Sequence, residues 1–352
     1  MTALNPTAPQ FLLRPCHAED LPALERFAAA SPVGITTLPH DRAFLTDRLQ
    51  RSLHAFATDD ASGEEIYLFA LEDLGSGQVV GISGIAARAG FADPFYSFRN
   101  EFVVHHSRAL GVSTRIHTLH LCHDLTDVSL FISFHIDPAY VRTLAPQLLS
   151  RARLLFISQF PERFSDRVAA ESAGLADDNG RCPLWDAVGR RFFGMDYPTI
   201  ERLTGGRSKS FIADLMPPSP IYVPLLPEDA QFAIGQLHPI AELPFSILID
   251  EGFDTDTYLD LFDGGPTAQE RLAMLKTVSR ARSYAARVGD TGRGSWHLAC
   301  NLSRERFRAV VVRAQAHGEE LLLDAQALAR LDLEPGDPVR AAALDLPAED
   351  LA

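Results

Sequence analysis

Residues 129–157 read SLFISFHIDPAYVRTLAPQLLSRARLLFI, and this stretch decides the fold. Its first eight residues alternate with a period of two, which predicts a β-strand with one wholly apolar face and one mixed face. Asp137-Pro138 then stops the strand. Apolar residues recur at helical spacing from residue 148 to residue 159. The stretch is therefore predicted to form a central strand, a turn and a helix.

The turn between this strand and this helix lacks the glycines of a phosphate-binding loop. Such glycines let a pyrophosphate approach the backbone, where the helix presents free N–H groups and its positive dipole end. Here residues 143–147 read TLAPQ, and Pro146 has no N–H to donate. The sequence therefore does not predict a strong phosphate cradle at this helix.

Length, charge and cysteine content limit the class of protein. A chain of 352 residues predicts two domains, or one large domain with an appendage. The net charge of −14 argues against non-specific binding to nucleic acid or to an anionic membrane. The four cysteines show no CxxC pairing, and neither a signal sequence nor an apolar run near the ~20 residues of a membrane span is found. We expect a cytoplasmic protein with reduced thiols and no membrane or nucleic-acid partner.

The remaining pattern predicts an α+β protein with helices on a mixed sheet. A strand and two helices come first, followed by a β-hairpin that turns at residues 75–77. Further elements are expected as helices over 228–237 and 245–251, a strand over 258–262 and a helix around 185–193. Short apolar runs with turn signals follow from about residue 282. The expected division is residues 1–281 and a small β module over residues 282–352.

Several strings along nearly the whole chain carry a resemblance to a known family. They are SPVGITTLP (31–39), FADPFYSFRNE (91–101), HTLHLCHDLT (117–126), FIADLMPPSPIYVPLLP (211–227), IGQLHP (234–239) and FDGGPT (262–267). Together they resemble the arginine N-succinyltransferase family, and three of them resemble more closely the alpha subunit of the two-subunit arginine/ornithine enzyme. The element order is similar to the acyl-CoA N-acyltransferase (GNAT) fold.

The resemblance implies an acyltransferase of arginine catabolism. It would move a succinyl group from succinyl-CoA, a co-substrate rather than a tightly bound cofactor, to the α-amino group of arginine or ornithine. The family's proton-transferring histidine falls on His238, and its succinyl-CoA contact falls on Phe134. Single-chain members carry a glycine-bearing loop where this chain has residues 143–147. The resemblance therefore implies a homologous beta subunit that keeps the loop.

Three carboxylates are candidates for holding the cationic substrate, because a guanidinium is best met by carboxylate oxygens. They are Asp93, Glu101 and Asp124. Cys122 and His123, next to Asp124, would point to opposite faces of one strand, which favours a structural role over nucleophilic catalysis. No histidine has the acidic spacing of a metal site, so no metal is predicted.

Two hypotheses follow for the function. In the first, the chain is a catalytic subunit in which His238 moves a proton. In the second, it is a non-catalytic structural or regulatory partner of a catalytic beta subunit. The string around His238 favours the first, and the glycine-free turn at residues 143–147 favours the second.

Overall fold

The computed structural model describes residues 10–31, 38–59, 61–91, 93–177, 179–204, 214–292 and 294–346. Most of the 31–39 string, the second residue of the 91–101 string and the first three residues of the 211–227 string lie outside these ranges.

Fifteen strands and ten α-helices are formed within the described residues. The strands are β1 (Phe11–Pro15), β2 (Ile66–Asp73), β3 (Gln78–Ala86), β4 (Ser97–Ser107), β5 (Val112–Cys122), β6 (Ser129–Ile136), β7 (Arg167–Glu171), β8 (Ile221–Tyr222), β9 (Asp254–Leu259), β10 (Pro266–Arg271), β11 (Arg282–Val288), β12 (Ser295–Cys300), β13 (Ala309–His317), β14 (Glu320–Leu323) and β15 (Pro338–Ala343). The helices are α1 (Leu21–Ala30), α2 (Arg42–Ala57), α3 (Ala145–Gln159), α4 (Pro183–Ala187), α5 (Gly189–Phe193), α6 (Tyr197–Thr204), α7 (Glu228–Ala233), α8 (Glu242–Glu251), α9 (Lys276–Arg280) and α10 (Ala325–Leu331).

A mixed sheet runs through the first ten strands in the order β1-β2-β3-β6-β7-β10-β9-β4-β5-β8. All neighbours in it are antiparallel except β6 and β7, which are parallel. The predicted α+β class with helices on a mixed sheet is confirmed, and residues 129–136 form its central strand as expected. The hairpin turn at residues 75–77 is also confirmed, between β2 and β3.

The last five strands close into a barrel. Their order is β12-β15-β11-β14-β13, and β13 pairs back with β12. The barrel joins the main sheet through β13, whose Ala309 pairs with Leu13 of β1. The β-rich end of the chain is thus tied to the first strand.

Helix α3 lies at the centre of the core. Every residue from Ala145 to Ile157 is buried, because strands of both the sheet and the barrel pack against the helix. The ring of Phe156 lies 5.2 Å from that of Phe69 in the sheet and 5.0 Å from that of Phe307 beside the barrel. Such close aromatic pairs add to the stability gained by burial alone.

Strand β6 departs from the predicted simple alternation. Ser133 has a φ of 54°, and the register with β3 shifts between Ile82 and Gly84. This is a β-bulge, an extra residue that re-aims the side chains after it. The expected wholly apolar face is therefore wrong, since Ser133 and His135 are buried whereas Phe134 is half-buried.

Several predicted boundaries are also wrong. The helix expected over 228–237 ends at Ala233, since Gly235 has a φ of 74° and Leu237 bridges to Gly174. The strand expected over 258–262 is β9, which ends at Leu259. The helix expected around 185–193 is split into α4 and α5, and the helix expected over 245–251 begins at Glu242.

Candidate functional site

A cavity of about 140 Å³ opens beside the parallel strands β6 and β7. Their ladder runs from the Ser129–Val168 pair to the Phe131–Ala170 pair, after which the strands separate. The cavity is lined by residues 130–134 of β6 and by residues 170–173 at the end of β7. Helix α8 closes it through Pro244 and Leu248. The cavity therefore forms where β6 and β7 diverge, next to the bulge in β6.

One wall of this cavity is acidic. Four carboxylates from separate parts of the chain line it: Glu171, Glu201, Asp260 and Asp263. The last two belong to the loop between β9 and β10, and backbone N–H groups hold them in place. The Asp263 side chain accepts from Gly174 and Gly265, each at 2.8 Å, and Asp260 accepts from Phe262 at 2.7 Å. An acid-lined wall of this kind suits a cationic ligand.

Two glycines allow this loop to approach the end of β7. A Cβ on Gly265 would lie 2.2 Å from the Ser172 carbonyl oxygen, and one on Gly174 would lie 2.6 Å from the Gly265 nitrogen. Backbone geometry thus explains the second glycine of the FDGGPT string, and this close approach also places Asp263 in the cavity wall.

His238 is tethered at the edge of the cavity. Its backbone N–H donates to the carbonyl of Ala173, a lining residue, at 2.9 Å. Its Nδ1 accepts from the N–H of Ile240 at 3.3 Å and caps the 3-10 turn Pro239–Ala241. In a neutral ring this hydrogen bond leaves the proton on Nε2. In that tautomer the Nε2–H of His238 is a hydrogen-bond donor.

Arg153 of α3 contributes a buried positive charge to the cavity. The residue is 3% exposed, and its guanidinium lies 4.0 Å from the Phe131 ring centre and 5.7 Å from that of Phe134. Its hydrogen bonds go to the carbonyl and hydroxyl oxygens of Ser150, both at 3.1 Å. Burial lowers the pKa of Arg153 to about 9, so the group stays protonated near neutral pH.

The predicted substrate-binding residues lie in different parts of the structure, and only one of them lines the cavity. Phe134 lines the cavity. Glu101 and Asp124 come together on Arg99, with which both form ion pairs, and Asp124 also accepts from Tyr258 at 3.2 Å. Asp93 lies in the loop before β4, and neither it nor the Arg99 pair is among the described residues that line the cavity.

The start of α3 offers few donors to a phosphate. The Ala145 N–H donates to Thr143 Oγ1 at 3.1 Å, Pro146 has no N–H, and the Leu148 N–H donates to the Leu144 carbonyl at 3.1 Å. Two of the four N–H positions that the helix itself leaves without a carbonyl, those of Ala145 and Pro146, are therefore used or missing, and the Leu148 N–H makes the first hydrogen bond of the helix. This agrees with the weak phosphate cradle expected from residues 143–147.

The sequence reasoning missed the acidic wall and Arg153. Asp263 stands inside the FDGGPT string, which was a usable signal, but Glu171 and Glu201 stand in no such string. Arg153 and Arg151 are two charged residues within a largely apolar run of α3, and that was a second usable signal. Among the described residues no group of three or more side chains could hold a metal ion. No helix in that part of the chain is long and apolar enough to cross a membrane.

Comparisons with known proteins agree along most of the chain. A family model described as arginine N-succinyltransferase beta subunit matches residues 11–277, and one described as the C-terminal domain of that subunit matches residues 282–343. Arginine N-succinyltransferase subunit alpha of Pseudomonas aeruginosa is 46% identical, over 95% of this chain and 99% of its own length. Arginine N-succinyltransferase of Salmonella schwarzengrund is 36% identical, over 94% and 96%.

A solved structure is similar as well. It is arginine/ornithine succinyltransferase subunit AI from Pseudomonas aeruginosa, with a TM-score of 0.87 and 43% identity, and the match covers 96% of this chain and 100% of that one.

Proposed function

This chain belongs to the arginine N-succinyltransferase family, and we propose that it is an acyltransferase that moves the succinyl group of succinyl-CoA to the α-amino group of arginine or ornithine. The observation that carries the proposal is the cavity between the separated ends of β6 and β7, with His238 tethered at its edge. Separated parallel strands of this kind also support the GNAT type of fold.

The reaction needs three groups in place. The deprotonated amine attacks the thioester carbonyl carbon, a C–N bond forms, the C–S bond breaks, and the proton lost from nitrogen ends on the departing CoA sulfur. His238 takes part in that proton transfer. Phe134 contacts the acyl-CoA, and the acidic wall holds the cationic side chain of the amine substrate. Asp93, Glu101 and Asp124 remain further candidates for that last role, and two of them pair with Arg99.

A homologous second subunit completes the proposed enzyme. The matching family model is described for a beta subunit, whereas the Pseudomonas relative is named subunit alpha. This chain is therefore similar to both kinds of subunit, which supports an enzyme built from two related chains. The β4–β5 hairpin projects exposed apolar side chains, including Val104 at 66% and Leu110 at 78% exposure. Large exposed apolar groups are common at protein interfaces. The start of α3 is poor in phosphate donors, so the partner or another surface must hold much of CoA.

The proposal also places residues 1–281 in the acyltransferase domain and residues 282–352 in the β module, in a cytoplasmic protein. All four cysteines are unpaired, which is usual in a reducing compartment. The alternative of a non-catalytic partner is not favoured, because the relatives are named as the transferase and this chain keeps both the cavity and His238.

The test is thiol release from succinyl-CoA by the purified chain, with and without arginine or ornithine, and then with a candidate beta subunit. We expect amine-dependent release and a succinylated amine by mass spectrometry. No release in either arrangement from folded protein would overturn the proposal.

A pair of substitutions tests His238 itself. His238→Asn keeps an acceptor for the Ile240 N–H but removes the ring Nε2, so the melting temperature should hold while kcat falls by roughly 10²- to 10⁴-fold. An unchanged kcat would remove His238 from the chemistry.

A further inference from the structure

We propose that Arg153 binds the terminal carboxylate of the succinyl group and thereby selects succinyl-CoA over uncharged acyl-CoA thioesters. This inference rests on the function proposed above. It assigns a specificity-determining role to a residue on α3, far along the sequence from His238.

The first argument is the missing counterion. Arg153 is buried, and no carboxylate among the described residues lies within ion-pair distance of it. Its hydrogen bonds to the described residues reach only the neutral oxygens of Ser150. A buried charge is costly unless it is paired, so an unpaired guanidinium that lines a cavity provides a site for an anion.

A neighbouring arginine on the same helix shows the contrast. Arg151 is equally buried, but its guanidinium pairs with Glu251 and with Asp250. Carboxylates of the protein thus neutralise the charge of Arg151, whereas the charge of Arg153 is available to pair with an anionic ligand. The two arginines stand two residues apart, so their different environments come from the elements around α3 and not from the helix itself.

The second argument identifies the anion. The reactants bring three kinds of negative group: the succinyl carboxylate, the amino-acid α-carboxylate and the phosphates of CoA. In acyl-CoA the full length of the pantetheine arm separates the phosphates from the thioester. The amino acid is expected at the acidic wall, which attracts its cationic side chain. Phe134, the proposed acyl-CoA contact, has its ring centre 5.7 Å from the Arg153 guanidinium. The succinyl carboxylate therefore fits best.

The experiment compares succinyl-CoA with butyryl-CoA, which has the same four-carbon chain but a methyl group in place of the carboxylate. The wild type should strongly prefer succinyl-CoA. Arg153→Met should lower kcat/KM for succinyl-CoA by roughly 10- to 100-fold, the range for one charged hydrogen-bonding partner, without lowering kcat/KM for butyryl-CoA. Arg153→Lys should keep part of the preference, because the charge remains.

A matched control is Arg163→Met. Arg163 is also 3% exposed and donates to the Tyr67 hydroxyl and the Thr58 carbonyl, away from the cavity. Its loss should leave the ratio of the two thioesters unchanged.

Four results would overturn the role of Arg153. Equal losses for both thioesters in Arg153→Met would make it structural. A raised KM for arginine with an unchanged thioester ratio would assign it to the α-carboxylate. A wild type that uses butyryl-CoA as well as succinyl-CoA would end the proposal without any variant, even if Arg153→Met does not fold. A wild type that prefers succinyl-CoA while Arg153→Met keeps that preference would do the same. Absence of any acyl transfer by the wild type is a different outcome, because it removes the proposed function itself.

Discussion

Lowering the pH from about 7.5 to about 5 should destabilise the fold through His135. This residue is 8% exposed and follows the bulge in β6. Ser31 donates its hydroxyl proton to the Phe27 carbonyl at 2.9 Å, so its oxygen accepts from His135 Nδ1 at 3.2 Å. The Nε2 of His135 is buried without a hydrogen-bond partner among the described residues. Protonation would therefore bury an unsatisfied charged donor.

The size of this loss of stability follows from the pKa shift of His135. Burial lowers the pKa of His135 from 6.5 to about 4. As the pH falls through 6.5 the unfolded chain gains a proton at this histidine and the folded chain does not, so the free energy of unfolding decreases. Between pH 7.5 and pH 5 the loss is about 2 kcal/mol, and it approaches about 3 kcal/mol as the pH nears 4.

Urea unfolding followed by circular dichroism at several pH values measures this loss. The His135→Leu protein should lack about 2 kcal/mol of the decrease that the wild type shows over the same range, whatever its absolute stability. The exposed His40 provides the control, since His40→Leu should keep the wild-type dependence. If the His135→Leu protein loses as much stability as the wild type, His135 is not held neutral by the fold.

Three further predictions concern stability and reactivity. Arg151→Met leaves the carboxylate of Glu251 buried and unpaired, so urea unfolding should show a loss of about 3–5 kcal/mol, most of it recovered when Glu251→Leu is added. Gly265→Ala drives a Cβ into the Ser172 carbonyl, and calorimetry should show a clearly lower melting temperature together with loss of acyl transfer. Burial raises the pKa of all four thiols, and only the half-buried Cys122 should react with a thiol reagent in the native state, whereas all four should react in urea.

The sequence predicted the centre of the fold because its pattern is local. The period-two run of β6 and the helical spacing of α3 depend only on neighbouring residues, and both elements formed where expected. The bulge at Ser133 was not predictable in this way, since it depends on how β6 meets β3. Helix α7 ended early for a similar reason, because the residues after it bridge to Gly174.

Residues of the candidate site were predicted only where the sequence resembles the family. His238 was found through its string and Phe134 through its place in the strand before Asp137-Pro138, and their roles stay predictions. Asp93, Glu101 and Asp124 were chosen by charge alone. A sequence does not show that Arg99 ion-pairs with the last two. The acidic wall was missed because its carboxylates come from separate segments that meet only after β7 and the β9–β10 loop pack together.

The pairing of β1 with β13 has a consequence for how the chain is made. Leu13 pairs with Ala309, which the ribosome adds almost three hundred residues later. Contacts of such long sequence separation slow folding, because a large loop must close before they form. Strand β1 therefore pairs only with β2 until the residues of β13 have been synthesised. Until then the nascent chain carries an open sheet edge at β1, which β13 of the barrel later covers.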